Sequence, residues 1–251
     1  MERIIDEKEK EYLENYSIEN FERPSLATDI VVFRVTEEDE ANKKKIRPKK
    51  LQVLLIKRAS YPFMGYYVLP GGFCRPDEKV EETAVRELFE ETHVSKKKLR
   101  LIGVYSEPGR DPRGWIISNT YMALVDNHKC ELRTDDEAWE ADWFSIEQLE
   151  ELDIGFDHRR IIEDAINILR YYAKTYNEKI FELLPETFTL GELQQVFEEI
   201  LQTGLTKQNF RRKMMEFLEE TDELETGYSH RNSKKYRSKV ESFNRIRHNK
   251  T

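Results

Sequence analysis

Three glutamates in one segment of the sequence have the spacing and the chemistry of a divalent-metal site. Glu87, Glu90 and Glu91 lie within residues 75–94, whose apolar spacing predicts a helix. Residues three or four apart share a helix face, so their carboxylates project together and repel one another unless a cation lies among them. Such oxygen ligands suit Mg²⁺ or Mn²⁺, which also keep water and phosphate ligands. Taken alone, this spacing is more often found on a solvated acidic helix face.

A glycine turn precedes this helix and makes the metal interpretation more specific. Gly71 and Gly72 let the backbone turn sharply and approach a second segment or a ligand closely. Arg86 is placed to orient a carboxylate through a bidentate ion pair. Three apolar residues lie on the opposite side of the helix and are expected to anchor it on a sheet: Val80, Ala84 and Leu88.

The elements that must position these residues alternate between strands and helices up to about residue 175. Strands are predicted at 26–35, 51–57, 99–106, 116–126 and 139–144, and helices at 75–94, 146–152 and 158–172. The charged segment 36–50 predicts a loop. After about residue 175 the pattern becomes helical and then basic. We therefore predict an α+β protein with two domains, residues 1–175 and 176–251.

The second domain has the pattern of a helix-turn-helix. Thr189 and Glu192 form a capping-box pair before one helix, and Thr206 caps the next, whose apolar stripe runs from Phe210 to Leu218. Residues 228–236 are the candidate wing hairpin. The start of a recognition helix is where it meets bases and phosphates. The second helix has six polar or basic residues there: Lys207, Gln208, Asn209, Arg211, Arg212 and Lys213. Any helical hairpin shares this spacing, so the assignment depends on context.

Composition limits the classes of function. The 251 residues carry a net charge of −8, and 36% of them are charged. No apolar run is long enough to span a membrane, and the charged N-terminus lacks the apolar core of a secretory signal. Two cysteines do not make a disulfide framework, so we expect a cytoplasmic protein. The basic segment 226–251 predicts either an anionic partner or a solvated tail.

The glycine turn and acidic helix resemble the Nudix box, GX5EX7REUXEEXGU. The matching residues are Gly72, Glu78, Arg86, Glu87, Glu90 and Glu91, with Leu88 and Val94 at the two apolar positions. His93 stands where the box has glycine. Histidine tolerates the positive φ expected there better than most residues do, so we expect changed loop shape or stability and an intact metal site.

The resemblance implies a Nudix α/β/α sandwich with a mixed sheet and a Mg²⁺- or Mn²⁺-dependent pyrophosphohydrolase. In Nudix enzymes the box carboxylates hold divalent cations against a pyrophosphate while water attacks phosphorus. The resemblance therefore implies that Glu87, Glu90 and Glu91 are metal ligands. It also implies that these three residues and Arg86 are catalytic. A general base outside the box is expected among the acidic residues 135–140. Glu137 is the candidate, and a surface acid without a role is the alternative.

Substrate contacts are expected around the same turn. Arg58, Arg110 and Arg113 are candidate phosphate ligands beside Gly71 and Gly72, and Trp115 or Tyr61 is a candidate for stacking on a base. The DPRG stretch at residues 111–114 is similar to one in ADP-ribose-handling Nudix members. The resemblance thus points to a nucleoside diphosphate linked compound, ADP-ribose or a related NAD-derived dinucleotide.

The whole arrangement is similar to the Nudix-related transcriptional regulators of NAD metabolism, which add a small winged helix-turn-helix domain and bind duplex DNA as dimers. Two hypotheses follow, beside the blander alternative of an inactive structural scaffold. In the first, the chain is a working hydrolase and its second domain has a minor role. In the second, it is an ADP-ribose-sensing, DNA-binding regulator and a homodimer. The presence of every box carboxylate and of Arg86 favours hydrolysis, while the basic residues of the second domain favour DNA binding.

Overall fold

A computed structural model describes residues 6–37, 48–129, 132, 140–225 and 233–239. The first domain contains α1 (Glu7–Asn15), β1 (Ser25–Glu37), β2 (Lys49–Lys57), β3 (Tyr67–Val68), β4 (Gly71–Phe73), α2 (Val80–Thr92), β5 (Arg100–Tyr105), β6 (Ile116–Val125), β7 (Glu140–Ser145) and α3 (His158–Lys174). The second contains β8 (Phe188–Thr189), α4 (Leu190–Leu201), α5 (Lys207–Met214), β9 (Leu218–Glu225) and β10 (Ser233–Ser238). Short 3₁₀ turns lie at Ile18–Asn20, Asn127–Lys129, Gln148–Glu151 and Glu178–Leu183.

The first domain is built on a mixed seven-stranded sheet. Its main path runs β3-β2-β1-β6-β5, with β4 beside β1 and β7 beside β2. β1 and β6 pair in parallel, whereas the other pairs are antiparallel. Because β1 is buried on both faces, its side chains alternate between two cores. Ile30 and Val32 face the core that contains Ala84 and Leu88 of α2, and Val31 and Phe33 face the core that contains α3.

The second domain is a winged helix. α4 and α5 pack on a three-stranded sheet of order β8-β10-β9. Phe197 of α4 and Phe210 of α5 belong to the same hydrophobic core as the α3 side of the first sheet. The backbone N–H of Leu51 donates to Glu199 Oε1 at 2.9 Å, which ties β2 to α4. The predicted α+β fold, a Nudix sandwich with a mixed sheet followed by a winged helix, is confirmed, while the exact boundary at residue 175 stays a prediction.

Several predicted element ends are wrong for local reasons. The predicted helix 75–94 begins only at Val80, because the preceding residues form a turn in which the Arg75 N–H donates to Glu78. α5 ends at Met214, and Leu218 belongs to β9. The wing hairpin therefore uses the acidic segment before residue 226 as its first strand, and residues 226–232 lie outside the described ranges. Among the described residues no helix has both the length and the apolar character needed to cross a membrane.

Candidate nucleotide site and DNA-facing helix

Arg86 connects the acidic residues of the glycine turn and α2. Its Nε donates to Glu78 Oε2 at 3.0 Å and its second terminal nitrogen to Glu78 Oε1 at 2.6 Å. Its first terminal nitrogen donates to Glu87 at 2.6 Å and to Glu90 at 3.0 Å. These hydrogen bonds from Arg86, with further ones from Thr83 and the Arg75 backbone, hold the pKa of Glu78 at about 2. Glu78 thus lies paired beneath the turn, while Glu87 and Glu90 share the opposite edge of the guanidinium.

The two glycines of the turn are required by close approaches. A Cβ on Gly71 would lie 2.1 Å from the carbonyl oxygen of Thr28, because β4 pairs antiparallel with β1 there. A Cβ on Gly72 would lie 2.5 Å from the Glu87 carboxylate. The Gly71 N–H donates to Glu91 Oε2 at 2.8 Å. The turn therefore leaves a space beside Glu87 and Glu91 that a larger residue would fill.

Glu91 is a partly buried carboxylate beside other negative charges. Burial, with the charges of Glu87 and Asp29, raises the pKa of Glu91 to about 8, although the hydrogen bond from Gly71 partly opposes the shift. Such a cluster is relieved by a cation. Within the described ranges no three histidine, cysteine, aspartate or glutamate side chains are grouped so that they could hold a metal ion. Glu87 and Glu90 are instead hydrogen-bonded by Arg86. The carboxylate oxygens of Glu87, Glu90 and Glu91 nevertheless fit a Mg²⁺ or Mn²⁺ ion, whose charge would favour the ionised form of Glu91.

A cavity of about 100 Å³ adjoins Glu91 and brings most of the predicted substrate residues together. Its lining includes Arg58, Gly71, Gly72, Arg110 and Arg113.

The residue predicted for stacking on a base is not part of this cavity. Trp115 is 54% exposed outside the cavity, and the alternative, Tyr61, is 80% exposed. Two aromatic rings that the sequence analysis missed, Phe73 and Phe156, line the cavity instead.

The three arginines of the cavity have different partners. Arg110 makes a bidentate pair with Asp157, at 2.9 and 2.7 Å, and contacts Asp29 at 3.2 Å. Arg113 is paired with the buried Asp111 at 2.7 Å. Arg58 donates through Nε to the carbonyl oxygen of Pro62 at 2.6 Å.

Arg58 is therefore the cavity arginine best placed to receive an anion. Its guanidinium lies 5.2 Å from the Phe156 ring centroid, and that of Arg113 lies 5.4 Å from the same ring. Burial and the neighbouring positive charge of Arg113 lower the pKa of Arg58. Two guanidinium groups that share one ring repel each other, so a bound phosphate would stabilise both.

A buried network beneath the cavity was also missed by the sequence analysis. Asp29 accepts a hydrogen bond from Ser118 Oγ at 2.5 Å and lies 3.4 Å from His158 Nε2. The Leu69 N–H donates to His158 Nδ1 at 2.9 Å. Burial alone would raise the pKa of Asp29, but His158, Ser118 and Arg110 outweigh it and hold the pKa at about 2. The available signal was an aspartate directly before the apolar run 30–33 of β1.

The second candidate site is the outer face of α5. Phe210 and Met214 are buried against the winged-helix core. The six predicted DNA-binding residues are all exposed: Lys207, Gln208, Asn209, Arg211, Arg212 and Lys213. This face carries four basic residues and no acidic one. By contrast, β9 exposes acidic side chains, so the positive surface of the described wing is confined to β10.

One predicted catalytic residue cannot be placed. Glu137 lies outside the described residues. The neighbouring Glu140 is exposed and lies 3.5 Å from Lys57. The identity of the general base therefore stays a prediction.

Comparisons with known proteins match both halves of the chain. The NUDIX domain model matches residues 27–165, and the NrtR DNA-binding winged helix domain model matches residues 180–238. The ADPR responsive transcriptional repressor NtrR of Acinetobacter baylyi is 32% identical over 225 residues, which cover 88% of this chain and 85% of that protein. The ADP-ribose pyrophosphatase of Methanocaldococcus jannaschii is 47% identical over 116 residues, which cover 46% of this chain and 66% of that protein.

A solved structure resembles the chain across both domains. Shewanella oneidensis NrtR, complexed with a 27mer DNA, has a TM-score of 0.72 and 29% identity, and the match covers 86% of this chain and 94% of that chain. The Nudix domain of the same protein, complexed with ADP ribose, has a TM-score of 0.54 and 31% identity over 64% of this chain and 98% of that chain. The chain therefore belongs to the Nudix family and carries a winged helix domain of the NrtR DNA-binding type.

Proposed function

We propose that this protein is a DNA-binding transcriptional regulator whose Nudix domain binds ADP-ribose or a closely related NAD-derived dinucleotide. The observation that carries the proposal is the exposed face of α5, on which four basic residues and two amides surround the buried Phe210. Basic and amide side chains on one exposed helix are suited to phosphates and base edges. A relative that matches along most of both chains is a repressor, so regulation now stands ahead of the hydrolysis that the sequence favoured.

The cavity supports a dinucleotide as the ligand. Arg58 and Arg113 supply positive charge for a diphosphate, and Phe73 and Phe156 supply aromatic surface for a base or sugar. The related Nudix domain from Shewanella oneidensis was solved with ADP ribose. Because a winged-helix pair usually reads a two-fold operator, the proposal includes a homodimer.

The test of DNA binding uses a duplex that the wild-type protein selects from a random-sequence pool. Binding is measured between 50 and 200 mM salt for the wild type and for the double variant Arg211→Ala with Arg212→Ala. Over this range the affinity for DNA changes steeply with salt, because binding releases counterions from the phosphates. The double variant should bind roughly tenfold or more weakly, and the slope of log K against log salt should fall by about two.

A charge-matched control comes from the Nudix domain. Lys97 and Lys98 are exposed in the loop after α2, so Lys97→Ala with Lys98→Ala removes the same charge at a distance from α5. Its DNA affinity should stay within about twofold of wild type. A wild-type protein without salt-dependent duplex binding would rule out the regulator.

Hydrolysis is a second candidate function, favoured by the ordered acidic cluster of α2. The cluster lies on α2 beside the glycine turn and consists of Glu87, Glu90 and Glu91. Arg86 is hydrogen-bonded to Glu78, Glu87 and Glu90. A divalent cation held by Glu87, Glu90 and Glu91 would neutralise charge on a phosphate and lower the pKa of water. Arg58 would hold the diphosphate, and Glu137 remains the proposed base.

The hydrolase test follows product release from ADP-ribose and related nucleoside diphosphates with Mg²⁺ or Mn²⁺. Glu91→Gln should reduce the rate by at least a hundredfold, on the order of what loss of a principal electrostatic contact causes. Glu81→Gln is the matched control, because Glu81 is exposed on the same helix. Equal rates in wild type and Glu91→Gln would exclude the metal assignment. No cleavage by wild type, with ADP-ribose still bound, would leave regulation as the only function.

A further inference from the structure

α3 extends from the nucleotide cavity to the winged helix. The residues that precede and begin it, Phe156 and His158, line the cavity. Its 17 residues correspond to about 25 Å of helix. One face is buried along the whole length against the sheet and α4, through Ile161, Ala165 and Leu169. A buried helix of this kind moves as a rigid element, since a packed core has discrete arrangements.

The cavity end of α3 is fixed by the ligand-facing residues. Asp157, directly before α3, receives both hydrogen bonds of the Arg110 pair. Phe156 has a φ of 56°, an uncommon conformation for an aromatic residue. Its ring lies below the guanidinium groups of Arg58 and Arg113. An anion that attracts these two arginines therefore changes the contacts of the residue next to the helix.

The far end of α3 has a matching arrangement at the DNA-facing helix. Tyr176, two residues after α3, has a φ of 54°. Glycine or asparagine is usual where a helix ends in this conformation. The Tyr176 ring stacks on Phe197 of α4 at 5.7 Å and lies 6.4 Å from Phe210 of α5. The ammonium group of Lys213, on α5, lies 4.3 Å from the centre of the same ring.

We propose that α3 couples the nucleotide cavity to DNA binding, and that Tyr176 is the residue that transmits its movement to α5. The proposal rests on the proposed regulatory function. Residues with a strained backbone persist where their surroundings hold them, and they concentrate in switch regions. Here one such aromatic residue lies at each end of one helix, and each contacts a cationic side chain. Displacement of α3 changes the position of Tyr176 against Phe197 and Phe210 and the freedom of Lys213 to reach phosphate.

The test measures the ratio of duplex dissociation constants with and without saturating ADP-ribose, on the selected duplex. For the wild type the two dissociation constants should differ by about fivefold or more, as is typical of coupled sites. Tyr176→Asn removes the ring and keeps a residue that tolerates positive φ. Its ratio should fall to within about twofold of one, while ADP-ribose affinity alone stays within about threefold of wild type. Tyr176→Phe keeps the ring and should keep the wild-type ratio.

Each outcome bears on the inference. A Tyr176→Asn protein that keeps the wild-type ratio overturns it, and so does one that loses duplex binding without ADP-ribose, because Tyr176 would then support the domain only structurally. If circular dichroism shows that Tyr176→Asn does not fold, Tyr176→Leu replaces it. Leucine keeps apolar contact with Phe197 but offers no aromatic face to Lys213, so the ratio of dissociation constants should be reduced. An unchanged ratio in Tyr176→Leu overturns the inference. A wild type that binds ADP-ribose and no duplex refutes the proposed function itself. Wild-type coupling with equal coupling in Tyr176→Asn refutes this inference alone.

Discussion

The nucleotide cavity and the outer face of α5 both depend on arginines, but they hold them in different ways. In the cavity, the Arg110 side chain is 6% exposed and contacts two carboxylates. The buried Asp111 pairs with Arg113. On α5, Arg211 and Arg212 are exposed on a helix that contains no acidic residue. Arg110 and Arg113 in the cavity are thus held in ion pairs within the protein, whereas the arginines of α5 are exposed to solvent.

This difference separates two consequences of mutation. Buried charges interact strongly and are destabilising when one partner is lost, so changes in the cavity should alter the free energy of unfolding. Exposed charges are screened by salt and contribute little to stability. Changes on α5 should therefore alter DNA affinity and its salt dependence, with the fold unaffected.

The largest expected effect is the loss of the Arg110 guanidinium. Arg110→Ala leaves the buried Asp29 and the partly buried Asp157 without their shared arginine partner. We expect the free energy of unfolding to fall by about 3–5 kcal/mol, as found when one partner of a buried ion pair is removed. Urea denaturation followed by fluorescence measures this change.

The matched control for Arg110 is the other principal arginine of the cavity. Arg58 contacts a carbonyl oxygen rather than a carboxylate. Arg58→Ala should therefore lower the free energy of unfolding by only about 1 kcal/mol, and it should weaken ADP-ribose binding about tenfold or more in calorimetry. Equal losses of stability in the two variants would contradict the distinction between a paired and a ligand-receiving arginine.

The second prediction concerns pH and Glu91. The pKa of Glu91 is about 8 in the folded protein and near its ordinary value of about 4.5 in the unfolded chain. The folded state thus holds a proton that the unfolded state releases, so wild-type stability falls as pH rises from about 4.5 to about 8. Glu91→Gln has no such loss and should be more stable than wild type by about 2–3 kcal/mol at pH 8.

Denaturation at pH 5 and pH 8 measures the difference between these two proteins. The stability advantage of Glu91→Gln should nearly vanish at pH 5. Saturating Mg²⁺ should stabilise wild type at pH 8 more than Glu91→Gln, because the variant lacks one of the three charged ligands. A constant difference at both pH values would show that Glu91 is ionised in the folded protein.

Local features of both regions were predictable from the sequence. The capping box of α4 is present, with the Glu192 N–H donating to Thr189 Oγ1 at 3.1 Å. His93 has a φ of 57° at the end of α2, as expected for the position where the box has glycine. Each feature depends on residues within a few positions of one another. Helix periodicity likewise identified the buried face of α5 through Phe210 and Met214.

The cavity contacts could not be predicted because they join distant segments. Arg110 pairs with Asp157, 47 positions away, and with Asp29, 81 positions away. Nothing local to residues 107–115 indicates those partners, so Arg110 was expected to contact phosphate directly. Phe156, which precedes α3, lines the cavity, whereas Trp115, which precedes β6, is exposed outside it. Periodicity also extended α5 too far, because Leu218 continues the apolar spacing but belongs to a strand.

The third prediction sharpens the description of α5. Asn209 offers an amide suited to a base edge, whereas Lys207 offers a point charge suited to phosphate. Asn209→Ala should reduce discrimination between the selected duplex and single-base variants by about 1–2 kcal/mol, with little change in salt dependence. Lys207→Ala should weaken binding to all duplexes alike and lower the salt slope by about one. Both variants should unfold within about 0.5 kcal/mol of wild type; identical effects on specificity would contradict separate roles.

The smallest expected effect lies in the backbone of the cavity region rather than in its charges. His93 adopts a φ of 57° at the end of α2, and its ring lies 5.4 Å from that of Phe89. His93→Gly removes the cost of placing a side chain in this conformation, about 1 kcal/mol, but it also increases the entropy of the unfolded chain and removes the ring contact. A net gain of about 0.5 kcal/mol in the free energy of unfolding is expected. His93→Ala should instead lower it, because alanine keeps the strain and loses the ring. If both variants are destabilised equally, the ring contact rather than the backbone strain determines the stability of this helix end.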